Sequence, residues 1–394
     1  MENPKPANRI EVADIFREFG RQYRISHNLP DNIIKVMHNI ERCRTSFFGG
    51  HVDQCDECEF KRISYNSCGD RNCPKCGMLA KEKWLEQRKR ELLPVPYYHI
   101  VFTIPQQLND LAMYNPEIIY RILFRSAKET LIKLGKDAKH LGADIGAISV
   151  LHTWGQNLSF HPHLHCIVPG GGLSEDGKKW LYPKKSKKKK KFFVHVNVIS
   201  DLFKKVFLYY LKWELNDGSL KGLENKGQIS KLLNTLYKIK WITYCKKPFG
   251  GPKQVLEYIC RYTHRVAISN NRIIKIEKGR VFFKWRDYKD GNKVKIMSLE
   301  ADEFIRRFLM HILPSGFMKI HYFGILASRN KKTKLARCQE IFGVKTILKE
   351  DEEKISWQER FHILTGIDLL CCPKCKKGKM CLKEKIEPLK RAPS

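Results

Sequence analysis

The stretch His161-Pro162-His163-Leu164-His165-Cys166-Ile167-Val168 decides the fold. Read as a β-strand, it sends its three histidines to one face and Leu164, Cys166 and Val168 to the other, because strand side chains alternate. One face can bury and the other presents imidazoles. Working outward, residues 144–154 read as a second strand joined to it by a short connection, which predicts an antiparallel pair. Residues 97–104 (YYHIVFTI) form a third strand, rich in aromatic and β-branched residues, after a charged helix over 79–93 that Pro94 and Pro96 end. Further helices are expected over 116–134, 196–213, 252–265 and 300–312, and strands over 266–276, 281–286 and 293–298. Near the start, Ile10, Ala13, Phe16, Phe19 and Tyr23 recur at helical spacing, as do Ile33, Ile34, Met37 and Ile40 after Pro30-Asp31.

Two imidazoles two residues apart on a strand, with Cα atoms about 6–7 Å apart, can converge on one divalent ion. His163 and His165 are that pair. A third ligand is needed, and Gln156, seven residues before His163, offers a carbonyl oxygen; His152, His161 and Gln254 compete for the place. Mixed oxygen and imidazole ligation with open positions for phosphate suits Mg²⁺ or Mn²⁺. An isolated His-x-His pair is also compatible with histidines satisfied by hydrogen bonds.

Gly250-Gly251-Pro252 precedes a helix whose Gln254, Tyr258 and Tyr262 form one stripe at four-residue spacing. Tyr258 and Tyr262 can each approach a metal-bound phosphate, and a tyrosine favoured as phenolate attacks phosphorus to give a covalent ester. Arg261, His264 and Arg265 supply cations beside them. Taken alone, such a stripe is more often a face packed into a core.

Lys and Arg outnumber Asp and Glu by 74 to 41 in 394 residues, a net charge of +33, which concentrates a polyanion and makes nucleic acid the expected partner. Residues 178–191 hold nine lysines and are expected to be a flexible loop, either a plain solvated insert or a track for phosphates. No run approaches the ~20 apolar residues of a membrane helix, and Met-Glu-Asn-Pro-Lys-Pro has no apolar signal core, so no membrane partner and a cytoplasmic place are expected. Fourteen cysteines in a reducing compartment point to thiolate metal sites. The first group reads Cys55-x2-Cys58-x9-Cys68-x4-Cys73-x2-Cys76, with His51 just before it. Its two Cys-x-x-Cys pairs suit one tetrahedral Zn²⁺ held by Cys55, Cys58, Cys73 and Cys76, leaving Cys68 and His51 as open candidates. Cys371, Cys372, Cys375 and Cys381 offer a further half site without a clear second pair.

Together, Thr153-Trp-Gly-Gln-Asn157, the histidine strand, the Gly170 triplet and Tyr258-Ile-Cys-Arg-Tyr262-Thr-His-Arg-Val-Ala-Ile-Ser resemble the rolling-circle insertion-sequence transposases, a two-tyrosine nuclease family of the His-hydrophobe-His class. The resemblance continues through Phe283-Lys-Trp-Arg-Asp-Tyr288, Glu303-Phe-Ile-Arg-Arg-Phe308 and Leu313-Pro-Ser-Gly-Phe317. It implies an α+β fold with a central antiparallel sheet and flanking helices, preceded by a small zinc-binding module. It also implies a DNA transposase that cleaves and rejoins single-stranded DNA, at hairpin ends of a mobile element, through a 5′-phosphotyrosine and a free 3′-hydroxyl. Asn72 stands before Cys73 where family members often carry histidine. Two other readings stay open: a noncatalytic zinc-containing nucleic-acid binder, and a phosphodiesterase using metal-bound water. The expected layout is N-terminal helices over 1–45, a zinc module and connecting helix over 46–93, the nuclease over 94–330 and a cysteine-bearing tail over 331–394. A bacterial chain of this kind is expected to associate with the nucleoid.

Overall fold

A computed structural model describes residues 10–76, 78–183, 194–223, 225–249, 254–255, 266–288, 290–344 and 356–389. Its strands in chain order are β1 (Gly50–Cys55), β2 (Lys61–Tyr65), β3 (Tyr97–Thr103), β4 (Gly146–Trp154), β5 (Phe160–Pro169), β6 (Gly172–Leu173), β7 (Trp180–Leu181), β8 (Thr243–Phe249), β9 (Ile273–Glu277), β10 (Arg280–Asp287), β11 (Lys293–Glu300), β12 (Ile320–Gly324) and β13 (Met380–Ile386). Its helices are α1 (Val12–Ser26), α2 (Asp31–Arg42), α3 (Met78–Lys89), α4 (Asn109–Tyr114), α5 (Pro116–Lys136), α6 (Val196–Asn216), α7 (Lys226–Lys238), α8 (Ala301–Leu309), α9 (Ala336–Ile341) and α10 (Trp357–Thr365). Helices mixed with antiparallel sheets make the fold α+β, as expected.

The chain divides into two compact units, each assembled from separated segments. The first takes residues 1–82, 266–312 and 347–394; the second takes 83–265 and 313–346. The contiguous layout expected from the sequence placed 266–312 with the nuclease strands and the last residues in a separate tail. Both segments cluster with the N-terminal residues instead, because strand pairing and side-chain packing join stretches that are distant in the chain.

In the second unit the sheet order is β12-β4-β5-β3-β8, with antiparallel neighbours throughout. Alternation along β5 works as predicted: Leu164, Cys166 and Val168 are fully buried on the face that meets α5 and α6. There Phe102 packs on Phe203 at 4.8 Å and Phe203 on Trp241 at 5.6 Å between ring centroids. Pro116 opens α5 at a position where its missing N–H costs nothing, and that helix buries Ile119, Ile122, Leu123, Ala127 and Leu131 along one stripe. The opposite face carries Tyr97, Ile148 and Ile167 in a second cluster. Burial pushes the Cys166 thiol up to about 12, so it belongs to the core and not to a reactive site. Gly324 closes β12 with φ +62°, and a Cβ there would fall 1.8 Å from the Ile145 carbonyl oxygen, so only glycine fits.

The lysine-rich segment is only partly described. Residues 184–191 lie outside the described residues, but Trp180 and Leu181 form β7, paired with β6, and the Trp180 ring is buried against Phe342 at 5.5 Å. A large apolar ring interrupts the lysines, and its burial anchors that end of the segment, contrary to a wholly solvated loop.

In the first unit, α1 and α2 pair through Phe16, Met37 and Ile40, and Phe16 meets Phe308 of α8 edge-on at 5.3 Å. Two three-stranded sheets complete the unit, in the orders β11-β10-β9 and β13-β1-β2.

Candidate functional site

The histidine centre is a product of strand register. In the β4–β5 pair His152 stands opposite His163, and His165 stands between Val150 of β4 and Val101 of β3. His99, two residues before Val101, is a diagonal neighbour of His165 on the same face. The Nε2 atoms of His163 and His165 face each other at 3.1 Å, and one ring nitrogen each from His152, His163 and His165 lie within 4.8 Å of one another. His99 and His152 are each only 2 % exposed and His165 8 %, while His163 is half-buried, so the cluster has one solvent-facing member. His152 also stacks on Trp154 at 4.6 Å, which fixes its ring plane.

Two hydrogen bonds orient the rings. His163 Nδ1 lies 2.6 Å from the His161 carbonyl oxygen, which only accepts, so Nδ1 carries the proton and Nε2 keeps its lone pair. His99 Nε2 lies 2.8 Å from His165 Nδ1; when that Nδ1–H donates to His99, Nε2 of His165 is likewise a lone pair. Three inward-facing imidazole nitrogens fit a divalent transition ion better than Mg²⁺, which prefers an all-oxygen shell.

Among the residues expected here, the structure brings His163 and His165 together and joins to them His152, one of the competitors for third ligand. Gln156 lies past the end of β4, in the turn before β5. Direct opposition across two strands delivers His152, whereas a residue beyond the paired length is not held by the ladder. His161 contributes its carbonyl, and its side chain is exposed. Tyr258, Tyr262, Arg261, His264 and Arg265 lie outside the described residues.

Among the described residues, eight cysteines form two tetrads, neither of them the one that spacing suggested. Cys43, Cys68, Cys73 and Cys76 form one, and Cys55, Cys58, Cys372 and Cys375 the other. The expected grouping of Cys55–Cys58 with Cys73–Cys76 fails because of the β1–β2 hairpin. Cys55 and Cys58 sit at its turn, whereas the chain leaves β2 at the opposite end, where Tyr65 pairs with Gly50. The five residues of β2 span about 16 Å, which separates the two Cys-x-x-Cys pairs. At that far end Arg44 N–H donates to the Asn66 carbonyl at 3.2 Å, bringing Cys43 beside Cys68. Within this first tetrad Cys76 Sγ lies 3.4 Å from Cys43 and 3.5 Å from Cys68. His51 instead faces Asp53, with Nε2 3.6 Å from its carboxylate.

Residues 146–334 match the family model described as "Putative transposase", and residues 15–104 match "Transposase zinc-binding domain". The chain is 46% identical over 378 residues to "Putative transposase y4qJ" of Sinorhizobium fredii, covering 94% of each chain. The chain belongs to the insertion-sequence transposase family. It is also 28% identical over 311 residues to "Transposase for insertion sequence element IS801" of Pseudomonas savastanoi pv. phaseolicola, covering 76% of this chain and 72% of that one. No solved structure matches it.

The transposase therefore acts on DNA, and its N-terminal part is a zinc-binding domain. Among the described residues, no helix is long and apolar enough to cross a membrane. Sequence reasoning missed Cys43, a lone cysteine closing α2, and His99, hidden in an aromatic strand. The available signal for His99 was its place on β3, two residues from the position opposite His165, which becomes legible only once register is known.

Proposed function

We propose that this transposase cleaves and rejoins single-stranded DNA at hairpin ends of its element, with Tyr258 or Tyr262 as covalent nucleophile beside a divalent ion held by His152, His163 and His165. The three-imidazole cluster on β4 and β5 carries this reading. The phenol oxygen attacks phosphorus, the bond from phosphorus to the 3′ oxygen breaks, and that oxygen takes up a proton to leave a free 3′-hydroxyl. The 5′ phosphate stays on the enzyme as a tyrosyl ester, whose energy drives the reverse attack by a 3′-hydroxyl and frees the tyrosine. When bound, the ion polarises the phosphate oxygens.

The chain's own residues set the geometry. The His161 carbonyl and His99 hold the two strand imidazoles with their lone pairs inward. Arg261, His264 and Arg265 neutralise the DNA phosphates beside the tyrosines. We assign the third ligand to His152 in place of Gln156, which favours Mn²⁺ over Mg²⁺ of the two ions expected. Two tyrosines process two strands in succession, in a rolling-circle reaction at the bacterial nucleoid. Zn²⁺ on Cys43, Cys68, Cys73 and Cys76 shapes the N-terminal module for DNA recognition.

Labelled single-stranded DNA incubated with the transposase and Mn²⁺ or Mg²⁺ tests this. A denaturation-resistant adduct is expected, lost in the Tyr258→Phe, Tyr262→Phe double variant. Replacing His163 and His165 by alanine should abolish cleavage while leaving much DNA affinity, since phosphate contacts dominate binding. Cleavage without an adduct would mean hydrolysis by water. Binding with no cleavage under any metal would mean a noncatalytic module.

A further inference from the structure

We propose that Cys55, Cys58, Cys372 and Cys375 form a second zinc site, which clips the C-terminal end of the chain onto the N-terminal module and completes it. The zinc-binding family match ends at residue 104, so half of these ligands come from outside it. The inference stands apart from the nuclease reading and fails or survives independently of it.

Sulfur geometry is the first observation. Cys55 Sγ lies 3.7 Å from Cys375 Sγ, and Cys58 Sγ lies 3.6 Å from Cys372 Sγ. A Zn–S bond of about 2.3 Å makes the edge of a regular ZnS₄ tetrahedron about 3.8 Å, close to both separations. A disulfide would need about 2.05 Å. All four sulfurs lie within 4.8 Å of one another.

The second observation is that the two halves are built alike. Each is Cys-x-x-Cys followed by a non-glycine residue in the left-handed region, Glu59 at φ 54° and Lys376 at φ 57°. In each the first cysteine's N–H donates across the turn at 2.9 Å, Cys55 to the Phe60 carbonyl and Cys372 to the Gly378 carbonyl. A left-handed conformation away from glycine is uncommon, so two at equivalent positions indicate one repeated metal-binding turn. Gly378 N–H also donates to Cys375 Sγ at 3.3 Å, a bond that stabilises thiolate.

Third, the turns are locked face to face. β13 pairs with β1 so that Met380 stands opposite Cys55. Asp56 receives the Lys379 N–H on its carboxylate at 2.7 Å and returns its own N–H to the Lys379 carbonyl at 3.1 Å. A Cβ on Gly378 would lie 2.5 Å from Cys55 Sγ, so this glycine is what allows the approach. Arg62 ties the same region from β2, donating to Asp53 and to the Leu369 carbonyl at 2.8 Å each. Cys58 and Cys372 are 314 positions apart, and a metal that closes so long a loop constrains the unfolded chain strongly.

Zinc analysis of the purified full chain tests this. Zinc content is expected to fall by one Zn²⁺ per chain in the Cys372→Ser, Cys375→Ser variant, and likewise by one in a Cys43→Ser, Cys68→Ser variant. A zinc content that Cys372→Ser, Cys375→Ser leaves unchanged would overturn the proposal. A second measurement needs no variant: in the native wild-type chain, Cys372 and Cys375 should resist alkylation until a chelator strips the zinc, then react together with Cys55 and Cys58. Alkylation of Cys372 and Cys375 at the rate of a free thiol, with zinc still bound, would equally refute the site.

Discussion

His99 offers a quantitative test of the histidine centre. Its Nε2 lies 2.8 Å from His165 Nδ1, and both rings are buried, at 2 % and 8 % exposure. His99→Phe keeps a ring of similar bulk but removes the acceptor. The His165 N–H then loses its partner in a site that water reaches poorly, at a cost of about 1–3 kcal/mol. At about 1.4 kcal/mol per tenfold, this weakens metal binding by roughly 5- to 150-fold, which brackets the ~10- to 100-fold typical when a residue orienting a metal-bound histidine is lost. Cleavage of labelled single-stranded DNA, followed across a Mn²⁺ titration, should show the midpoint moving up by about that factor. The rate should recover at saturating Mn²⁺, because His99 orients a ligand and does not touch substrate. An unmoved midpoint in a folded variant, or a rate that stays lost at saturating metal, would refute the role given to His99.

Three further outcomes follow from other contacts. His152→Ala should abolish Mn²⁺ binding as measured by calorimetry, whereas Gln156→Ala should leave it within the same order of magnitude; the reverse pattern would return the third ligand to Gln156. Gly324→Ala, with its Cβ forced to 1.8 Å from the Ile145 carbonyl oxygen, should destabilise the second unit by roughly 3 kcal/mol or more, visible as a lowered Tm or failed expression. Glu303, held down to about 2 first by its hydrogen bond to Arg306 and also by Arg307, adds stability that is fully present above the ordinary carboxylate range and is lost as pH falls through about 2. With its side chain a third exposed, solvent screening reduces the effect, so Glu303→Gln should cost about 1 kcal/mol at pH 7, with the Tm gap closing on acidification.

The histidine strand was legible because its information is local. The two-residue period of β5 follows from backbone geometry alone, so the burial of Leu164, Cys166 and Val168 opposite the imidazoles needed no partner strand to be known. The helical stripe of α1 and the antiparallel pairing of β4 with β5 were readable for the same reason. The Cys-x-x-Cys turns were also visible as metal-binding units.

Which units meet was not. Cys55–Cys58 and Cys73–Cys76 look adjacent in the chain, yet the β1–β2 hairpin carries them to opposite ends and matches the former with Cys372–Cys375. His152 and His99 join His163 and His165 only through the register of three strands. By itself the sequence determined the periodicities, the ligand types and the strong positive charge, because these are properties of neighbouring residues or of the whole composition. Tertiary structure decided the ligand sets, because a metal site needs several ligand atoms within a few ångströms of one another, and only the pairing of distant segments sets those distances.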